Sequence, residues 1–445
     1  MIKSRVFTSL YILVFLTQLL LVSVSEMVAQ TTGVNVVLIM ADDLGYECIG
    51  ANGGSSYNTP FIDQLAETGM RFENCHSQPL CTPSRVQIMT GIYNVRNYTD
   101  FGVLERGQVT FANLFKDAGY ATVIAGKWQL GREEDAPYHF GFDAYCLWQH
   151  KHGRVDDQEH DTRFSNPRLE INGQTIQYKG GEYGPDLVSD FICDFMEKNR
   201  DKPFLAYYPM ILTHCPFTPT PDSRDWDPGD RGSLSYKGEP IYFGDMVAYM
   251  DKMVGKIVSK LDELGLRENT LIVFTGDNGT DQPIISMLAG KEYIGGKGLT
   301  SDNGTHVPLV ANWPGTIGEG LICHDLVDFS DMLPTLCQAA GILPPGGLKV
   351  DGKSILPQLK GLPAIPREWV YGWYARDGKT DIREWARDRS YKLYSTGDFY
   401  DVSVDLYEKN PLDVENLKSE EQKVQMDLKK ALELYKDKRP IKSIN

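Results

Sequence analysis

Asp42, Asp43, Asp277 and Asn278 all offer side-chain oxygens, and each pair follows a short apolar, β-branched run: VNVVLIM before Ala41-Asp42-Asp43, TLIVFT before Gly276-Asp277-Asn278. An all-oxygen set of this kind suits a hard divalent cation, Ca²⁺ or Mg²⁺. Two further runs end in a cation and an imidazole: ATVIA before Gly126-Lys127, and FLAYYPMIL before Thr213-His214. The lysine can hold an anion, and a histidine can move a proton near neutral pH. PLCTPSRVQIMTG, residues 79 to 91, adds a cysteine directly before Thr-Pro-Ser-Arg. Thr82 is expected to cap a helix with Pro83 at its first position. Cys81 would then face the first amides and positive dipole end of that helix, with Arg85 in its first turn, a ready site for an anion.

Such runs, separated by segments of helical period like TPFIDQLAETG and VAYMDKMVGKIVSKLDELG, predict an α/β fold with a mostly parallel central sheet flanked by helices. Ligands of open α/β sheets bind beyond the carboxyl ends of the strands. That rule puts Asp42, Asp43, Lys127, His214, Asp277 and Asn278 along one edge. One carboxylate after one strand is ordinarily a solvated loop charge; four strands delivering such groups to one edge is harder to dismiss. After about residue 345 the pattern changes to a Pro/Gly-rich linker, GILPPGGLKVDGKS, then EWVYGWYA and YKLYSTGDFYDVS. The last segment carries Val424, Leu428, Ala431, Leu432 and Tyr435 at helical spacing. These features predict a smaller antiparallel C-terminal sheet closed by one helix. The expected organisation is a signal peptide over 1–30, a main domain over 31–345 and a C-terminal subdomain over 346–445.

At 445 residues the chain exceeds what one core usually organises. Its net charge of −15 argues against nucleic acid as a partner and leaves any anionic substrate to a local cationic pocket. Lys3 and Arg5 before YILVFLTQLLLVSV, with small residues at Ser23, Ser25 and Ala29, read as an export signal cleaved between residues 25 and 30. The apolar run is short for a membrane span. The expectation is an exported chain, periplasmic or secreted, with no stable membrane insertion after cleavage. Eight cysteines lie scattered at 48, 75, 81, 146, 193, 215, 323 and 337, and their spacing does not give a pairing.

CTPSR followed by VQIMTG resembles the C-x-P-S-R signature of the formylglycine-dependent type I sulfatases, the arylsulfatase-like branch of the alkaline phosphatase superfamily. The likeness extends through NVVLIMADDLG, GKWQLG, THCPF, TGDNG, GGKG, HVPLVANWPG, DMLPTL and DGKSILPQLKG to DLYEKNPLDVENL, in the family's usual order. The resemblance implies that a dedicated maturing enzyme oxidises Cys81 to formylglycine. One hydroxyl of the hydrated aldehyde attacks sulfur, and the second collapses to the aldehyde and expels sulfate by C–O cleavage. It further implies Ca²⁺, with Mg²⁺ as the alternative, on Asp42, Asp43, Asp277 and Asn278. Lys127 and Lys297 would bind sulfate, Arg85 would steady the formylglycine, and His214 would protonate the leaving alcohol. The implied substrate is a sulfated carbohydrate.

Two positions depart from the family pattern. Gln129 in GKWQLG stands where histidine is usual, and glutamine cannot act as a base at neutral pH. His306 in TSDNGTHVP stands where arginine is common, and no role is assigned to it. A phosphoester or phosphonate hydrolase on the same fold is the enzymatic rival, although its serine or threonine relatives with two zinc ions need more histidines. A non-catalytic glycan-binding homologue is the other, with Gln129 its only support. Finally, CLWQHKHGRVDDQEHDTRF, residues 146 to 164, carries His150, His152 and His160 among Lys151, Arg154, Arg163 and Trp148. A substrate loop suits that mixture better than a zinc site.

Overall fold

Alternate residues of the strand Asn35–Ala41 enter two different cores: Val36, Leu38 and Met40 pack on one side, Val37, Ile39 and Ala41 on the other. A strand buried on both faces belongs in the middle of a sheet covered by helices, which explains its unbroken apolar run. In the computed structural model, which describes residues 33–439, this strand is the axis of the molecule. The export-signal reading falls on residues 1–30, outside the described residues.

The strands in chain order are β1 (Asn35–Ala41), β2 (Met70–His76), β3 (Ala121–Lys127), β4 (Ala144–Trp148), β5 (Arg168–Ile171), β6 (Gln174–Gln177), β7 (Phe204–Pro209), β8 (Thr270–Gly276), β9 (Ile285–Leu288), β10 (Lys291–Ile294), β11 (His306–Asn312), β12 (Leu321–Asp328), β13 (Val370–Tyr374), β14 (Arg383–Arg387), β15 (Tyr391–Tyr394) and β16 (Phe399–Asp401). The large sheet runs β12-β2-β11-β8-β1-β7-β3-β4-β5-β6. Its middle, β8-β1-β7-β3-β4, is parallel, while β11 enters antiparallel between β8 and β2. Helices Gly184–Lys198 and Phe243–Glu263 cover one face, and Cys81–Thr90, Phe111–Asp117 and Met332–Ala339 the other.

The expected C-terminal sheet is present as antiparallel β13-β14-β15-β16, and helix Ser419–Tyr435 covers it through Leu428, Ala431 and Tyr435. Tyr371, Trp373 and Tyr435 share an apolar cluster with Leu38 and Phe111, so this sheet packs directly on the large one. Among the described residues no helix is long and apolar enough to cross a membrane. None of the eight cysteines is paired.

Candidate active site

The parallel strands deliver their terminal residues to one edge, as the strand-end rule requires. Asp42 and Asp43 follow β1, Lys127 ends β3, His214 lies five residues past β7, and Asp277 and Asn278 follow β8. Backbone bonds lock these loops together: Asp42 N donates to Leu212 O (2.8 Å), Thr213 N to Asp42 O (2.8 Å) and Asp277 N to Ala41 O (2.8 Å). Asp43 holds a left-handed φ of +61°, a conformation kept only where its surroundings fix it. Its amide donates to Asp277 Oδ1 at 2.9 Å.

Asp42, Asp43, Asp277 and Asn278 are completely buried. Asn278 Nδ2 donates to Asp43 Oδ1 and to Gly279 O, both at 2.9 Å, while its Oδ1 is buried with no hydrogen-bond partner. Such an acceptor is costly to leave unmatched. Ligand atoms of Asp42, Asp43 and His214 lie within 4.8 Å of one another, as do those of Asp42, Cys81 and Asp277. An orphaned amide oxygen among three carboxylates fits a hard divalent cation.

Cations ring this acidic cluster. Lys127 Nζ lies 2.7 Å from Asp42 Oδ2, Lys297 Nζ 2.5 Å from Asp43 Oδ2, and Arg85 Nη2 3.1 Å from Asp277 Oδ2. Arg85 Nη1 also donates to Lys127 O (2.9 Å), and Lys297 Nζ lies 3.0 Å from His214 Nε2. Cys81 Sγ donates to Gln129 Oε1 at 3.0 Å. All the residues singled out for this site therefore converge on one centre. Three carboxylates face three cations, so adding a divalent ion leaves net positive charge for an anionic ligand.

Burial pushes the Asp277 carboxyl up to about 8, with the charge of Asp42 adding to it against Arg85. Burial likewise raises Asp43. Asp42 goes the other way: burial is its largest influence, yet Lys127, Arg85 and Lys297 outweigh it and hold the carboxyl below its ordinary value. Burial raises the Cys81 thiol. A thiol kept protonated is a poor nucleophile. Burial, reinforced by Lys297, Lys127 and Arg163, drops His214 well below its ordinary value, so the unliganded ring is neutral.

The helix after residue 80 begins two residues earlier than expected. Cys81 is its first residue, extended Leu80 precedes it, and Pro83 sits third. Thr82 does not cap; its Oγ1 accepts from Gly102 N at 3.1 Å. Ser84 Oγ instead accepts from Gln78 N at 3.0 Å, tying the entering chain to the first turn. Cys81 is thus held by the helix itself. Gln129, at a left-handed φ of +51°, is fixed with its amide oxygen toward the thiol.

The 146–164 segment splits. His150 Nδ1 lies 3.1 Å from Glu170 Oε2, His152 bonds Thr175 Oγ1, and His160 pairs with Asp156, so the three histidines do not converge on a metal. Arg163 is different. It is 1% exposed, held by Asp161 at Nε (2.9 Å) and Nη2 (3.1 Å), and stacked 4.2 Å over Trp148. Its Nη1 reaches His214 Nδ1 at 2.7 Å, while Cys215 O lies 2.5 Å from the same nitrogen. A guanidinium only donates and a carbonyl only accepts, so the two neighbours favour opposite tautomers of His214. The sequence marked Arg163 only as one cation in a mixed loop. His306 is structural: its ring stacks on Tyr46 at 4.1 Å and Nε2 bonds Glu73 O at 2.8 Å.

Residues 34–342 match the family model described as "Sulfatase", and residues 295–438 match that of the N-sulphoglucosamine sulphohydrolase C-terminal region. The chain is 32% identical over 358 residues to the N-acetylgalactosamine-6-sulfatase of Mus musculus, covering 74% of this chain and 66% of that one. It is 33% identical over 373 residues to arylsulfatase A of Homo sapiens, covering 76% of this chain and 70% of that one. The chain thus spans about two thirds of the length of these relatives. Among solved structures it superposes on Ps i-CgsB with a TM-score of 0.75 at 25% identity, covering 93% of this chain and 94% of that one. On BT4656 in complex with D-glucosamine-2-N,6-O-disulfate the TM-score is 0.73 at 22% identity, covering 93% and 100%, a likeness of fold. With the family model spanning most of the chain and its motif residues gathered around one buried centre, the chain belongs to the sulfatase family.

Proposed function

We propose that this chain hydrolyses sulfate esters of a sulfated carbohydrate, outside the cytoplasm, after a maturing enzyme has converted Cys81 to formylglycine. The observation that carries the reading is the buried Cys81, set among Lys127, Lys297 and Arg85 beside an all-oxygen cluster whose Asn278 Oδ1 has no partner. Formylglycine would supply a hydrated aldehyde in place of the unreactive buried thiol. Asp42, Asp43, Asp277 and Asn278 would hold Ca²⁺, which supplies electrophilic stabilisation of charge on oxygen. Lys127 and Lys297 bind the sulfuryl oxygens, and Arg85 holds Asp277 and the Lys127 carbonyl in place. His214 delivers the proton that the departing sugar hydroxyl needs. The carbohydrate reading draws on the relatives that act on sulfated sugars and on the structure solved with a disulfated glucosamine. Release of inorganic sulfate from a panel of sulfated saccharides tests it; binding without release by fully matured protein would favour the glycan-binding alternative that Gln129 suggests.

The metal assignment predicts a thermal shift. Calcium at a hundredfold excess over its Kd stabilises the native chain by about 2.7 kcal/mol, because the folded cluster binds it and the unfolded chain does not. Scanning calorimetry with calcium against a chelator reads the shift directly. Asn278→Ala removes the unmatched oxygen and should abolish most of it; an unchanged calcium response in that variant would contradict the assignment.

Arg163 acts through His214. Arg163→Met is expected to lower kcat on a sugar sulfate by about 10-fold, part of the contribution that acid catalysis makes. On 4-nitrophenyl sulfate, whose leaving group needs no proton, kcat should change by less than about 3-fold. Steady-state rates on the two substrates check this, and an equal loss on both would mark Arg163 as a packing residue.

A further inference from the structure

The C-terminal sheet closes on the segment that carries Lys297. Arg383, Trp385 and Arg387 occupy alternate positions of β14 and share one face. On that face Arg387 bonds Asp302, Lys392 of β15 bonds Thr300 O, and the Tyr394 hydroxyl lies 2.8 Å from Thr300 Oγ1. These contacts fall three to five residues beyond Lys297. Arg383 continues the same face outward, directly opposite Tyr374 of β13, and is exposed.

The β13–β14 hairpin also docks beside Cys81. Gly378, at φ +69°, brings its backbone so close to Thr99 that an added Cβ would lie 2.1 Å from Thr99 O. The Tyr98 hydroxyl donates to Arg376 O at 2.8 Å, and the exposed Arg376 guanidinium lies 5.0 Å over the Phe101 ring. The next residue, Gly102, donates to Thr82 Oγ1 at 3.1 Å, next to Cys81. The Tyr98 and Tyr374 hydroxyls both lie within electrostatic reach of Cys81 and of Arg376. Neither Arg376 nor Arg383 has an ion-pair partner among the described residues. In a chain of net charge −15, two unmatched guanidiniums on the rim of a cationic centre are a directed feature. Their planar forks suit carboxylate and sulfate, and the aromatic rings beside them suit a sugar face.

We propose that Arg376 and Arg383, with Tyr374 and Phe101, form a second anion subsite that binds an anionic group of the saccharide other than the sulfate being hydrolysed. A uronate carboxylate and a second sulfate ester share this chemistry. The proposal deepens the hydrolytic reading and rests on it for the identity of the primary site, but its test does not require turnover.

Calorimetry on protein with an intact Cys81 thiol measures binding of three disaccharides: one with a single sulfate, one with a sulfate and a uronate carboxylate, and one with two sulfates. Wild-type protein should bind the two dianionic probes more tightly than the monosulfated one. Arg376→Gln with Arg383→Gln should weaken the dianionic probes by about 10-fold to 30-fold and the monosulfated probe by no more than 2-fold, with an unchanged melting temperature. Arg376→Lys with Arg383→Lys should recover part of the loss. The probe that loses more identifies the natural anion as carboxylate or sulfate. Wild-type protein without preference for a dianion, or a double glutamine variant that weakens all three probes equally or none, overturns the subsite. Failure of matured protein to release sulfate would count against the hydrolytic function and leave this binding result standing.

Discussion

Cys81→Ala is expected to lower kcat for sulfate release by about 10⁴-fold to 10⁶-fold, the scale on which enzymes lose activity when a covalent nucleophile is removed. Alanine has neither a thiol nor a hydroxyl for a maturing enzyme to oxidise, so no aldehyde can form at this position. The structural cost is small. Cys81 is 2% exposed, and its side chain makes one hydrogen bond, to Gln129 Oε1. Losing that bond and leaving the amide oxygen unmatched costs about 1–3 kcal/mol. Lys127, Lys297 and Arg85 keep their carboxylate partners, so saccharide binding persists while turnover is lost. Ion chromatography of released sulfate, with a melting curve on the same sample, checks both halves. Substantial turnover by the alanine variant would assign the nucleophile to another residue.

His214→Ala is expected to cut kcat on a sugar sulfate by about 10²-fold to 10⁴-fold, and on 4-nitrophenyl sulfate far less. The contrast follows from the leaving groups. A sugar alkoxide is strongly basic and must be protonated as it departs, whereas nitrophenolate leaves unaided. On this proposal, substrate binding itself would set when that proton is present. In the unliganded centre, burial and the cations Lys297, Lys127 and Arg163 hold His214 neutral. An anionic sulfate bound against Lys127 and Lys297 would offset those charges and favour protonation of the ring beside it. Nε2 faces Lys297 at 3.0 Å, on the side where the sulfate would lie. Parallel steady-state rates on the two substrates separate this role from binding. A rise in KM with kcat intact on the sugar sulfate would contradict it.

Much of this centre was legible because the residues that build it end buried strands. Asp42 and Asp43, Lys127, and Asp277 and Asn278 follow runs whose unbroken apolar character betrays a strand covered on both faces, and such strands share one carboxyl edge. The antiparallel β11, between β8 and β2, was less visible: HVPLVANWPG reads as a motif, and nothing local in it sets its direction. The link from Arg163 to His214 crosses 51 residues and depends on how the 146–164 segment folds over Trp148. Local pattern carries no information about such a pairing. The same holds for Asp302 with Arg387, 85 residues apart, through which the C-terminal sheet fixes the Lys297 segment. At the start of helix Cys81–Thr90 the residue types pointed to a Thr82 cap, but the tie from Ser84 to Gln78 decided where the helix begins.

The proposed chemistry at this edge depends on converting Cys81. Its decisive test is the rate of sulfate release from a sulfated saccharide as a function of the fraction of Cys81 converted, read by peptide mass on preparations made with graded amounts of a maturing enzyme. Conversion replaces sulfur and two hydrogens by one oxygen, so the fraction is read directly. The expected rate is proportional to that fraction and extrapolates to zero for the intact thiol. Release by fully unconverted protein, or none from fully converted protein on any sulfated saccharide, would contradict it.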